Sequence, residues 1–111
     1  MGFDDQLDYD DMTLNDKVRL FYRNEEENSD KVYVLWIEKR SDGKFVVLCA
    51  YGRRGSSFPR RETKVVGASF EYARHMLVKV LHEKLRKGYI GIESAIKSGY
   101  LTEEEAILEV L

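Results

Sequence analysis

The chain has 111 residues, 43% apolar and 34% charged, which describes one globular domain with room for a single core. One Pro and eight Gly exclude a Pro/Gly-rich linker protein, and no apolar run approaches the roughly 18 residues of a membrane helix. The net charge of −2 gives the whole chain no electrostatic preference for a polyanion.

Residues 1–16 hold scattered apolar residues without a period and read as an acidic arm, flexible or loosely docked. The acidic opening MGFDDQLDYDD is unlike a secretory leader, and the lone Cys49 forms no internal disulfide; both point to a reducing cytoplasm. From Lys17, Val18, Leu20 and Tyr22 alternate with Arg19, Phe21 and Arg23, a strand that ends at the polar turn NEEENSD. Lys31–Arg40 and Lys44–Tyr51 are rich in β-branched and aromatic residues and apolar on both faces, which suits central strands. Ser41-Asp42-Gly43 supplies the turn between them. Gly52–Arg61 reads as a polar loop and Arg61–Val66 as a fourth strand, so the four form an antiparallel meander.

The period then becomes helical. Ser69 is the expected N-cap, Ala73, Leu77, Val80, Leu81 and Leu85 form the apolar stripe, and Gly88 follows the C-terminus. That stripe needs a surface, and the twisted sheet offers it. The remainder reads as one short helical turn ending at Ser98-Gly99, then a short helix with Thr102 and Glu105 as a capping box. Ala106, Ile107, Val110 and Leu111 give this last helix an apolar side, expected either to fold back or to support a weak dimer. The expected class is α+β: a twisted antiparallel sheet of four to five strands, one main helix packed on it, and short C-terminal helices. It divides into an arm (1–16), a central domain (17–89) and a helical extension (90–111).

Little here suggests catalysis. His75 and His82 stand two helical turns apart, about 10.5 Å, too far to share a metal. Cys49 lies mid-strand between Leu48 and Ala50, where burial and inertness are expected. The acidic pairs Asp10/Asp11 and Glu103–Glu105 sit in polar ends with nothing to perturb them. No phosphate-cradling loop or dinucleotide fingerprint occurs. The expectation is no enzyme, no metal and no cofactor.

Charge is unevenly placed. Residues 1–30 carry ten acids against three bases (−7), residues 31–90 fourteen bases against five acids (+9), and residues 91–111 one base against five acids (−4). Within the basic centre, the stretch from Tyr51 to Arg61 holds four arginines, two serines and two aromatics. Guanidinium groups bind phosphate bidentately, Gly brings main-chain N–H groups close, Ser hydroxyls donate, and an aromatic ring stacks on an exposed base. A solvated loop anchored to the core by its two aromatics is the plainer alternative.

Tyr51-Gly52-Arg53-Arg54-Gly55 resembles the Trp-Gly-Arg-x-Gly signature of the WGR domain. As in that family, it follows an Asp-Gly hairpin and precedes a strand and a helix with an early Phe, an Ala, spaced Lys residues and a closing Gly-Tyr. Phe70, Ala73, Lys84 and Gly88-Tyr89 occupy those places. The similarity spans about Lys17 to Tyr89. It implies a twisted antiparallel sheet with one packed helix, found in poly(ADP-ribose) polymerases and in small bacterial proteins. It also implies binding of DNA, including strand-break ends, without catalysis. The family's Trp is Tyr51 here, which keeps a π-face but loses the indole N–H. The motif arginine's bridge to a catalytic region does not transfer to a chain without one.

The expected function is a non-catalytic nucleic-acid-binding module for DNA backbone or DNA ends, 5′-phosphorylated ends included, with little sequence specificity. Arg53 and Arg54 would hold a phosphate beside Gly52, and Tyr51 would stack on the terminal nucleotide. Arg60, Arg61 and Lys64 would extend the basic footprint, with Lys44 across the turn. The alternative is a protein-interaction or regulatory module whose basic loop meets an acidic partner or the chain's own acidic ends. No membrane is expected, and the oligomeric state is a monomer or weak dimer.

Overall fold

The computed structural model describes residues 12–55 and 60–105. The acidic start, loop residues 56–59 and the apolar side expected at 106–111 lie outside the described residues.

Four strands run as the expected meander: β1 (Val18–Asn24), β2 (Ser29–Lys39), β3 (Phe45–Arg53) and β4 (Arg60–Gly67). Helix α1 (Phe70–Arg86) crosses to the far edge, where β5 (Ile90–Gly91) pairs antiparallel with β1, and α2 (Ile92–Lys97) follows. The sheet order is β4-β3-β2-β1-β5, an antiparallel sheet with one main helix, an α+β fold. The fifth strand is only two residues long, Ile90 opposite Phe21 and Gly91 opposite Leu20, too short for a period-2 pattern to register.

Both faces of β2 and β3 are apolar because both are covered. On one face, Leu20, Tyr33, Leu35, Ile37, Val47 and Cys49 pack against Ala73, Leu77 and Leu81 of α1. Each fully buried Leu there contributes about 2 kcal/mol. On the opposite face, Phe21 packs with Ala95 and Leu101, the contribution of α2 and the turn after it. Cys49 is fully buried, and both histidines lie on the exposed side of α1.

The punctuation is where the residue types require it. Ser69 Oγ accepts from the Tyr72 N–H at 3.1 Å, closing the N-terminus of α1. Gly88 takes φ +102 just past the helix, where a side chain would be strained and would also crowd Tyr22. Thr102 and Glu105 form the reciprocal capping box, with backbone-to-side-chain bonds of 2.9 and 3.1 Å.

The end of β3 differs from the sequence reading. Gly52 and Arg53 belong to β3, since β2 begins at Ser29 and supplies Val32 and Lys31 as their partners. The loop therefore starts at Arg54. Residues 12–16 are docked: Met12 is buried in the core and the Asn15 N–H donates to Ile37 O at 2.9 Å.

Candidate nucleic-acid interface

Antiparallel pairing decides which side chains share a face. The β2–β3 hairpin sets Tyr33 opposite Tyr51, and β4 sets Arg60 opposite Tyr51 and Glu62 opposite Cys49. All of these point to the α1 side. Arg53, two residues beyond Tyr51, shares that side by strand alternation. Lys64, two residues beyond Glu62, shares that side by the same alternation, and the register then jumps from Leu48–Thr63 to Val47–Val65, leaving Lys64 as an extra, unpaired residue. The bulge brings Val65 to the same side, packed against the core, and Lys64 Nζ lies 3.8 Å from Glu62.

Of these, Tyr33, Tyr51, Arg53, Glu62 and Lys64 line a cleft of about 520 Å³ at the end of the sheet, beside the C-terminus of α1. Its floor is a run of rings. Tyr51 stacks on Tyr33 with centroids 5.7 Å apart and Tyr89 meets Tyr33 edge-on at 6.1 Å, while Tyr22, outside the cleft lining, lies 5.4 Å from Tyr89. Lys84, from the last turn of α1, holds its Nζ 4.5 Å from the Tyr33 ring centre and 5.9 Å from that of Tyr89. Lys31 sits 5.5 Å over Tyr22. Contacts of this length are cation–π interactions.

The local field is mixed. Burial, reinforced by the neighbouring cations Lys87 and Lys64, holds the Lys84 ammonium below its ordinary pKa. The Tyr51 hydroxyl donates to Glu62 Oε1 at 2.8 Å, and that bond, with some burial, raises its phenol above the usual value against an opposing pull from Arg60. Burial pushes the Tyr33 phenol up strongly; its hydroxyl faces the Cys49 thiol and has no hydrogen-bond partner among the described residues. Both tyrosines are neutral at pH 7, so the cleft keeps its positive balance.

The expected site residues separate into groups. Tyr51, Arg53, Arg60 and Lys64 converge on the α1 side at one end of the sheet, and Gly52 lines the same cleft. Arg53 is exposed and donates to Asn28 O at 2.9 Å. Arg54 is committed elsewhere: Nε lies 3.1 Å from Asp30 Oδ1 and Nη1 3.2 Å from Glu105 Oε2. Arg61 points to the opposite face, its guanidinium 5.3 Å from the centre of the Trp36 ring. Lys44 is in the hairpin turn, separated from Tyr51 by the length of β3, about 20 Å.

Lys84, Tyr33, Tyr89, Lys31 and Glu62 were not among the sequence-derived site residues. Lys84 and Tyr89 did stand in the helical pattern that resembles the WGR domain, and a hairpin centred on Asp42 pairs Tyr33 with Tyr51. The signal lay in the register, not in the motif.

The WGR domain profile matches residues 16–96, well over half of the chain. The chain belongs to the WGR domain family. That family is of the nucleic-acid-binding type of module. Comparisons with curated proteins and with solved structures found no match. In this WGR chain the motif's Tyr51, Gly52 and Arg53 lie in a strand, and its second arginine, Arg54, anchors the start of the following loop to Asp30. Among the described residues no helix is long and apolar enough to cross a membrane, and no three metal-binding side chains come together.

Proposed function

We propose that this WGR chain is a non-catalytic module that binds DNA along its backbone or at its ends, with little preference for sequence. The observation that carries this reading is the convergence of Arg53, Arg60, Lys64 and Lys84 on one face beside the Tyr51 ring. Cations so placed neutralise phosphates, and the ring offers a π-face to a terminal base. Among the described residues no helix or ribbon projects outward to read base edges, so specificity is expected to be slight.

Fluorescence anisotropy with a short labelled duplex carrying a 5′-phosphate tests it. Neutralising three to five phosphates gives a log–log salt slope of roughly −3 to −4.5. Arg53→Ala weakens binding and flattens the slope by about 1. Absence of binding at micromolar protein and low salt, or binding insensitive to salt, overturns the proposal.

One observation favours a second reading, a protein-interaction module for an acidic surface: Arg54 already holds two of the chain's own carboxylates. If no duplex binds while an acidic protein does, that reading takes over.

A further inference from the structure

The cleft's walls do not suit a run of phosphates alone. Glu62 and Asp30 line it together with Arg53, Lys64 and Lys84. Asp30 is already paired with Arg54, but a bare backbone entering this space would meet the Glu62 carboxylate, and like charge repels it. A ligand with a neutral face rich in amino donors at one end and an anion at the other would meet no such penalty. Glu62 accepts from an exocyclic amine, the ammonium and guanidinium groups take the anion, and the tyrosine rings cover the flat face. The volume of about 520 Å³ falls in the range, roughly 300–1,000 Å³, of pockets that enclose one small ligand.

We infer that this cleft takes a single unstacked nucleotide, its base against Tyr51 and Tyr89 near Glu62 and its phosphate on Lys84 and Lys64. The inference deepens the DNA-binding proposal and rests on it only for where the nucleotide comes from, a frayed strand end or a free mononucleotide. Drawing a base out of its stack costs a few kcal/mol, least where the base is already unpaired. An end with unpaired nucleotides therefore binds better than a blunt one.

The test compares a blunt duplex with the same duplex bearing a three-nucleotide unpaired 5′ tail, titrated against the full chain, with adenosine 5′-monophosphate as a separate probe. The expected result is binding of the tailed duplex at least tenfold tighter than the blunt one. Tyr51→Ala brings that ratio close to 1 and Tyr51→Phe, which keeps the ring, preserves it. Lys84→Met reduces the ratio as an independent check should Tyr51→Ala fold poorly. Binding of the mononucleotide with amide shifts at Tyr51 and Lys84 supports the cleft and makes a free nucleotide its source. Equal, salt-sensitive binding of both duplexes, with no mononucleotide bound, overturns the inference while the DNA-binding proposal stands. If no probe binds, both fall.

Discussion

Arg54 and Asp30 are joined twice: the Arg54 backbone N–H donates to Asp30 O at 2.7 Å, and its guanidinium Nε reaches Asp30 Oδ1 at 3.1 Å. Both side chains are largely shielded, 20% and 27% exposed, and Glu105 of the C-terminal capping box closes on the same guanidinium. The second arginine of the motif thus ties the end of β3 to the start of β2 and to the C-terminal extension.

Arg54→Ala is therefore a stability variant. A charge-assisted, half-buried pair is worth about 1–2 kcal/mol, more than an open surface pair. For a domain of this size that lowers Tm by about 4–12 °C. Arg53→Ala, whose side chain is exposed, leaves Tm nearly unchanged and weakens DNA binding instead. Thermal denaturation of the two variants side by side separates the roles.

Lys84→Met separates function from stability in the other direction. Burial lowers the Lys84 pKa in the folded chain, so the unfolded chain holds that proton more tightly. Its charge works against the fold at pH 7, and the penalty is relieved only as pH rises through the lowered folded value towards the ordinary one. Replacing it with an apolar side chain of similar length is expected to leave Tm equal or higher. DNA affinity falls about five- to tenfold, and the salt slope flattens by about 1.

Glu105 supplies a pH dependence of the same sign, stability rising with pH, but at acid pH and from a charge that supports the fold. Its bond from the Thr102 N–H, then the Thr102 hydroxyl and Arg54, hold its carboxyl below the ordinary range. The stability it contributes is present above its ordinary value of 4.5 and is lost as pH falls through the lowered folded value. Titration followed by NMR should show the Thr102 amide shifting with the Glu105 carboxyl, below pH 4.5. A Thr102 amide that titrates above pH 5 contradicts the capping box.

The acidic start offers a fourth variant. Removing residues 1–11 deletes five Asp while leaving Met12 in the core. If those carboxylates compete with phosphate for the basic centre, the truncated chain binds duplex DNA a few-fold tighter at low salt, and the gain vanishes at high salt. Equal affinity at low salt excludes the competition.

The fold was largely legible in the sequence because its signals are local. Two strands apolar on both faces implied a covered sheet, Ser69 and Gly88 bracketed the helix, and Thr102 with Glu105 announced the capping box. The site was legible only in part, because membership depends on which way a side chain points. Arg60 and Arg61 are adjacent, yet strand alternation sends one beside Tyr51 and the other onto Trp36. Lys64, four residues after Arg60, reaches the cleft by that same alternation. Lys84 comes from a helix whose crossing over the sheet sets its position above Tyr33. Arg54 differs from its neighbour Arg53 because Asp30, 24 residues earlier in the chain, holds it.

The face used for binding is the claim on which the rest depends, and the Trp36 indole provides a resident reporter on the opposite face, where its N–H donates to Glu38 at 2.7 Å. Amide and indole shifts recorded while duplex DNA is added decide the matter. The account predicts large shifts at Tyr51, Arg53, Lys64 and Lys84 and a stationary indole N–H. An indole signal that moves with added DNA, while the Tyr51 and Lys84 amides stay fixed, contradicts it.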